Sequence, residues 1–139
     1  MIEQLLEAIK STLKASFEEC TVYTNEVPQG FERPSLFIRN ISTERQKQIG
    51  ENHRFSYTFN IKYFSAAKKQ NEDFSAMSER LYTALYFLQG ASVFGRDISH
   101  RTVDGVLHMQ VTYRINAIKN VEQEPSFEDL ELRSEIKNG

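Results

Sequence analysis

The side chains able to do chemistry in this chain are few, and their spacing works against them. Three histidines come first, because a neutral imidazole is the commonest metal ligand and a natural base near neutral pH. His100 and His108 flank Asp104-Gly105, a dipeptide that favours a two-residue hairpin turn. Such a turn pairs Val103 with Val106, Arg101 with His108, and His100 with Met109. Neighbouring strand positions point to opposite faces, so the two imidazoles fall on opposite sides of a sheet and cannot share an ion. His53 lies near the tip of another hairpin and reads as a solvated polar residue. Cys20 is the single cysteine, which excludes an internal disulfide and a multi-thiolate metal site. A reactive thiolate needs a nearby base or a helix N-terminus; the sequence around Cys20 offers neither, so it reads as a small buried hydrophobe. Gly90 and Gly95 lack the Lys-Ser/Thr that completes a phosphate-binding loop. The pairs Glu18-Glu19 and Glu72-Asp73 are sequence neighbours, not facing carboxylates. The expectation is no catalytic residue, no metal site and no cofactor.

The elements that would position any site are easier to read. Ile2, Leu5, Leu6, Ile9, Leu13 and Phe17 recur at helical spacing, which predicts an amphipathic helix over residues 2–17. Cys20–Thr24 is β-branched and short, a small strand. Glu26–Pro34 carries two of the three prolines and a glycine, so it is a structured loop. A strand from Ser35 to about Gln46 follows. Arg54–Phe64 then alternates strictly, with Phe55, Tyr57, Phe59, Ile61 and Tyr63 on one side and Ser56, Thr58, Asn60 and Lys62 on the other. Lys47–His53 is the hairpin tip, and strands this long predict a hairpin that projects beyond the body. Asn71 reads as the cap of a second helix, with Phe74, Met77, Leu81, Leu85 and Leu88 as its buried stripe and Gly90 as its C-terminal cap. After Ser92 comes the second hairpin. Its last strand sets Leu107, Met109, Val111, Tyr113, Ile115 and Ala117 against Val106, His108, Gln110, Thr112 and Arg114. The fold class is therefore α+β: an antiparallel or mixed sheet of two hairpins plus a short strand, with two amphipathic helices packed on one face.

Composition bounds the rest. The 139 residues carry 17 Lys and Arg against 19 Asp and Glu, a net charge of −2. A chain of this length is one domain and buries roughly two-thirds of its unfolded surface, so it needs no staples. Residues 120–139 hold six acids and two bases, which is −4, and leave +2 on residues 1–119. The chain divides accordingly into a single α+β domain, 1–119, and an acidic C-terminal arm, 120–139. Near-neutrality argues against a dedicated nucleic-acid binder. The aromatics of Arg54–Phe64 could stack bases, but they share the only face able to cover two helices. No apolar run reaches the ~20 residues that span a bilayer, and MIEQLLEAIK has no basic leader. A soluble protein of a reducing cytoplasm is expected. The well-populated polar face left over can simply meet water, or it can meet partners.

Three stretches carry a resemblance. VPQGFERPSLFI (Val27–Ile38), RFSYTFNIKYF (Arg54–Phe64) and PSFEDLEL (Pro125–Leu132) stand in the order and spacing seen in a family of phage tail terminator proteins, which this sequence resembles over most of its length. Phe127 stands where that family's pattern often has Met. The resemblance implies a small α+β protein without catalytic residues. It would assemble with itself as a ring, typically a hexamer, on the last ring of the tail-tube protein. It would stop tube growth and offer a surface to head-completion or neck proteins, first in the host cytoplasm and then in the virion tail. No membrane and no sequence-specific nucleic acid are implied as partners. Two alternatives stand beside this reading: another neck or head–tail joining protein, and a small binding module using the polar sheet face. Arg45, Lys47 and Arg54, at the hairpin tip, are the residues expected to meet a neighbouring subunit or tube ring, because charges on an exposed hairpin steer and register partners.

Overall fold

A computed structural model describes residues 2–24 and 26–118. The first helix, α1 (Ile2–Ser16), starts with Glu3 against the positive end of its dipole and ends near Lys14. Its apolar stripe is buried completely at Leu5, Ile9 and Leu13, and Phe17, one residue past the helix, is equally buried. Each such side chain contributes roughly 1.5–3 kcal/mol on burial. Strand β1 (Thr21–Thr24) pairs parallel with the start of β2 (Ser35–Lys47). Strand β2 turns back into β3 (Asn52–Phe64), and β3 lies against the final strand, β6 (Val106–Ile118). Helix α2 (Gln70–Tyr86) leads into β4 (Phe87–Leu88) and β5 (Val93–Val103). The result is one mixed sheet of six strands, ordered β1-β2-β3-β6-β5-β4, with α1, α2 and the core on one face. The α+β class read from the sequence is what the chain adopts.

Alternation sets the register. The row Phe55, Tyr57, Phe59, Ile61, Tyr63 faces Ile115, Tyr113, Val111, Met109, Leu107 across β3 and β6, and all ten are buried on the side of the sheet that carries the helices. The Asp104-Gly105 turn has both residues at positive φ, +50° and +72°, the geometry of a two-residue hairpin turn that glycine adopts without strain. His100 pairs with Met109 and Arg101 with His108, so the two histidines do lie on opposite faces.

Three local readings need correction. Helix α2 starts at Gln70, with Lys69 before it and no side-chain cap, so Asn71 sits inside the first turn. The helix is held instead by Asp73, which accepts hydrogen bonds from the Tyr63 hydroxyl at 2.6 Å and from the Ser65 hydroxyl. Leu88 and Gly90 do not end the helix: Phe87 is already extended, and Leu88 is buried as a strand residue paired with Val93. Finally β5 is irregular. Its register shifts between Arg96 and Ser99, with Asp97 at φ +52°, a bulge that no turn residue announced.

Candidate assembly surface

On the sheet face away from the helices, side chains stand in rows. Thr58 and Thr112 meet at the centre, with their hydroxyls hydrogen-bonded at 2.9 Å. Toward the β2–β3 turn, Ser56 lies opposite Arg114, and Arg54 opposite Asn116, with Arg54 Nε donating to Asn116 Oδ1 at 3.3 Å. Toward the other end come Asn60 with Gln110, then Lys62 with His108. From the outer strands the same face receives Arg39, Ser42, Glu44 and Gln46 of β2, and Arg96, Ser99 and Arg101 of β5. Six cations (Arg39, Arg54, Lys62, Arg96, Arg101, Arg114) thus share one face with two carboxylates, Glu44 and the bulged Asp97, the latter 3.7 Å from Arg114. The near-neutral composition hides this segregation. His108 registers the same field. Its imidazole is held below the ordinary pKa first by burial, then by the charges of Lys62 and Arg101.

One end of the face is aromatic. Tyr23 stacks on Phe37 with ring centroids 4.8 Å apart, and Phe31 packs on Phe37 and Phe64 at 5.1 and 4.7 Å. The Arg33 guanidinium lies over Phe31 and Phe64, 5.4 and 5.3 Å from their centroids, and donates to the Ser65 carbonyl at 3.1 Å. Such edge-to-face and cation–π contacts contribute about 0.5–1.5 kcal/mol each. They fix Phe31–Pro34 to the sheet, while Val27–Gly30 is exposed, so Phe31–Ile38 is the sequence of a packed corner.

The sheet also has two long open edges. Strand β1 covers only Ser35–Ile38 of β2, and β4 covers only Val93 and Phe94 of β5. Among the described residues, no strand pairs with the outer side of Arg39–Lys47 or of Asp97–Val103, though the Ile98 carbonyl accepts the Tyr82 hydroxyl of α2 at 2.6 Å.

A model of the phage tail terminator protein family matches residues 4–125. The chain belongs to the phage tail terminator family. Comparison with curated proteins finds no match. Membership makes the chain a structural component of a phage tail, working through contacts with its own copies and with other tail and head proteins. The terminator match covers the packed corner, both hairpins and both helices, and stops within the acidic segment, which lies outside the described residues.

The three cations expected at this terminator's hairpin tip do not form one patch. Arg45 and Lys47 are exposed and lie on the helix-side rows, opposite Phe55 and His53. Arg54 is half-buried on the far face. The hairpin is itself asymmetric. Strand β2 is exposed or half-exposed beyond Ile38, whereas β3 alternates buried side chains as far as His53. His53 is therefore not solvated but only 8 % exposed, because its register puts it in line with Phe55. Cys20 is half-buried with its thiol pushed up to about 11, chiefly by burial, which leaves it protonated and inert at neutral pH. Among the described residues no group of His, Cys, Asp and Glu could hold a metal, and no helix is long and apolar enough to cross a membrane. What sequence reasoning missed was the cationic face. The register of Arg39, Lys62, Arg101 and Arg114 relative to the buried alternation was the signal for it.

Proposed function

We propose that copies of this chain join edge to edge into a ring, six in the assembled tail, which seats on the last tail-tube ring, stops its growth and presents the surface joined by head-completion proteins. The observation that carries this is the pair of open edges. A long unpaired edge strand is a liability in a monomer, and two different edges on one subunit make a head-to-tail contact that closes when its rotation divides the circle. Arg45 and Lys47, exposed at the hairpin tip, steer and register the ring on the tube; Arg54 addresses a partner on the far face. The subunit assembles in the host cytoplasm and ends in the virion. Electron microscopy of the purified protein mixed with its tube protein tests the reading: rings capping tube ends support it. A phage lacking the gene makes tubes of uncontrolled length that fail to join heads. Tails of normal length that join heads in that mutant overturn the assignment. Another head–tail joining protein would use the same surfaces but cap a different partner ring. The binding-module alternative has little to work with. The pocket on the polar face, lined by Ser99, His100, Arg101, His108 and Gln110, holds about 180 Å³, below the ~300 Å³ where small-molecule sites begin.

A further inference from the structure

We infer that the sheet face away from the helices binds the phosphate backbone of duplex DNA, without reading its sequence. The arrangement of cations carries this. Successive rows of the face each hold at least one: Lys62 and Arg101 in the first, then Arg39, Arg96, Arg114 and Arg54 in the rows that follow. Rows on one face lie two residues apart, about 7 Å, so this line runs roughly 27 Å without a gap. A single small anion would need one such cluster. A line of cations suits an anion that is itself a line, and duplex DNA carries one charge per ~1.7 Å of its axis. All but Lys62 are arginines, whose planar fork meets phosphate oxygens two at a time. Ser99 and Gln110, exposed between them, are uncharged donors of the kind that also hold a backbone. Opposition is weak: Asp97 lies 3.7 Å from Arg114 but is mostly exposed, too loose a pair to keep the arginine from a phosphate. Other carboxylates lie on the helix side, Glu3 and Glu7 of α1 and Glu72, Asp73 and Glu79 of α2, so a chain of net charge −2 still presents one cationic side. The same face disfavours other partners. In the three rows from Lys62 to Thr58, strands β3, β5 and β6 place no apolar side chain, so an acidic protein would find no anchor there. The rings at the end of the face pack on one another and are not free to stack the bases of a single strand.

The test uses the full chain and a fluorescent DNA duplex of about 30 base pairs, followed by anisotropy from about 20 mM to about 0.2 M NaCl. Each phosphate met by a cation adds about 0.9 to the steepness with which log affinity falls against log salt, so the expected slope is about −3 to −5. Two unrelated sequences should give the same slope and affinity. Lys62→Gln with Arg101→Gln should make the slope shallower by about 2 and weaken binding more than about tenfold at the lowest salt, with circular dichroism unchanged. Should that pair disturb the fold, Arg39→Gln with Arg96→Gln, both exposed on outer strands, carries the same expectation. Lys10→Gln with Lys14→Gln removes the same charge from α1, on the other side of the sheet, and should leave the slope in place. A slope near zero, or equal losses in the strand and helix variants, overturns the proposal. Tighter binding of a single strand of the same length places bases rather than phosphates on the face and overturns it as well. Polyglutamate that displaces the duplex and depends on Lys62 and Arg101 assigns the face to an acidic protein, with the same result. None of these readouts needs a tail tube, so failure here leaves the capping function untouched, and the reverse.

Discussion

Phe59 and Thr58 are neighbours with opposite fates. Phe59 is fully buried against Tyr113, 6.2 Å between ring centroids, while Thr58 spends its hydroxyl on Thr112 across the far face. Phe59→Ala should cost roughly 3–5 kcal/mol through the cavity it leaves, and Thr58→Ala about 1 kcal/mol for one hydrogen bond. Equal losses in urea denaturation would mean the faces are assigned wrongly. That distinction was legible in the sequence, because a period of two leaves no freedom once one row is apolar. The surroundings of His108 were not legible, since they come from burial in the folded sheet and from Lys62 and Arg101 on the strands either side. The native pKa of His108 lies below the unfolded value of about 6.5. Between those two pH values the unfolded chain binds more protons, so stability is full above the unfolded pKa and declines as pH falls through that window. NMR titration of the imidazole should show the low midpoint, and Lys62→Gln should raise it.

At the scale of elements, what joins α2 to its surroundings was not legible, because the partners are distant in sequence. The Leu85 carbonyl, an orphan of the last helical turn, accepts the Tyr113 hydroxyl at 2.8 Å. Gly95 is what allows that approach: a Cβ there would stand 2.6 Å from the same carbonyl and 2.9 Å from Val111 Cγ2. Gly95→Ala should therefore cost roughly 1–3 kcal/mol by overpacking and lower the thermal midpoint, while Gly90, with only Ala8 at 3.4 Å, should tolerate alanine. Arg80 ties the two helices. It pairs with Glu19 at 2.6 Å, donates to the Ser16 carbonyl at 2.9 Å and lies 4.4 Å from the Phe17 ring centroid. Both charged groups are about half exposed, so the ion pair itself adds little. Arg80→Ala should cost about 1 kcal/mol, mostly the carbonyl and ring contacts, whereas Asn71→Ala should leave the urea midpoint unchanged, because Asn71 caps nothing. A sequence can nominate a cap residue, but here tertiary hydroxyls from Tyr63 and Ser65 took over the helix start.

For the whole molecule, class and strand order within each hairpin were readable, because each rests on local pattern. The segregation of charge was not, since it requires knowing which strands become neighbours: β2 and β5 contribute three of the six cations and flank a pair that sequence order separates. Changing Arg45, Lys47 and Arg54 to Ser should reduce joining of tails to heads; normal assembly of that variant would remove the hairpin's role but not the ring's. The open edges have a further consequence, for how the purified protein behaves in a tube. Both are net cationic, Arg39, Arg45 and Lys47 against Glu44 on one, Arg96 and Arg101 against Asp97 on the other. Like charges therefore hold free copies apart when the screening length is long and stop doing so above about 0.1 M salt, where it drops to ~10 Å. An edge contact that misses closure continues as a filament. The concentrated protein should thus stay dispersed in dilute buffer and scatter more light as salt is added, the reverse of a particle held together by ion pairs, and storage at low ionic strength is what keeps its colloid clear.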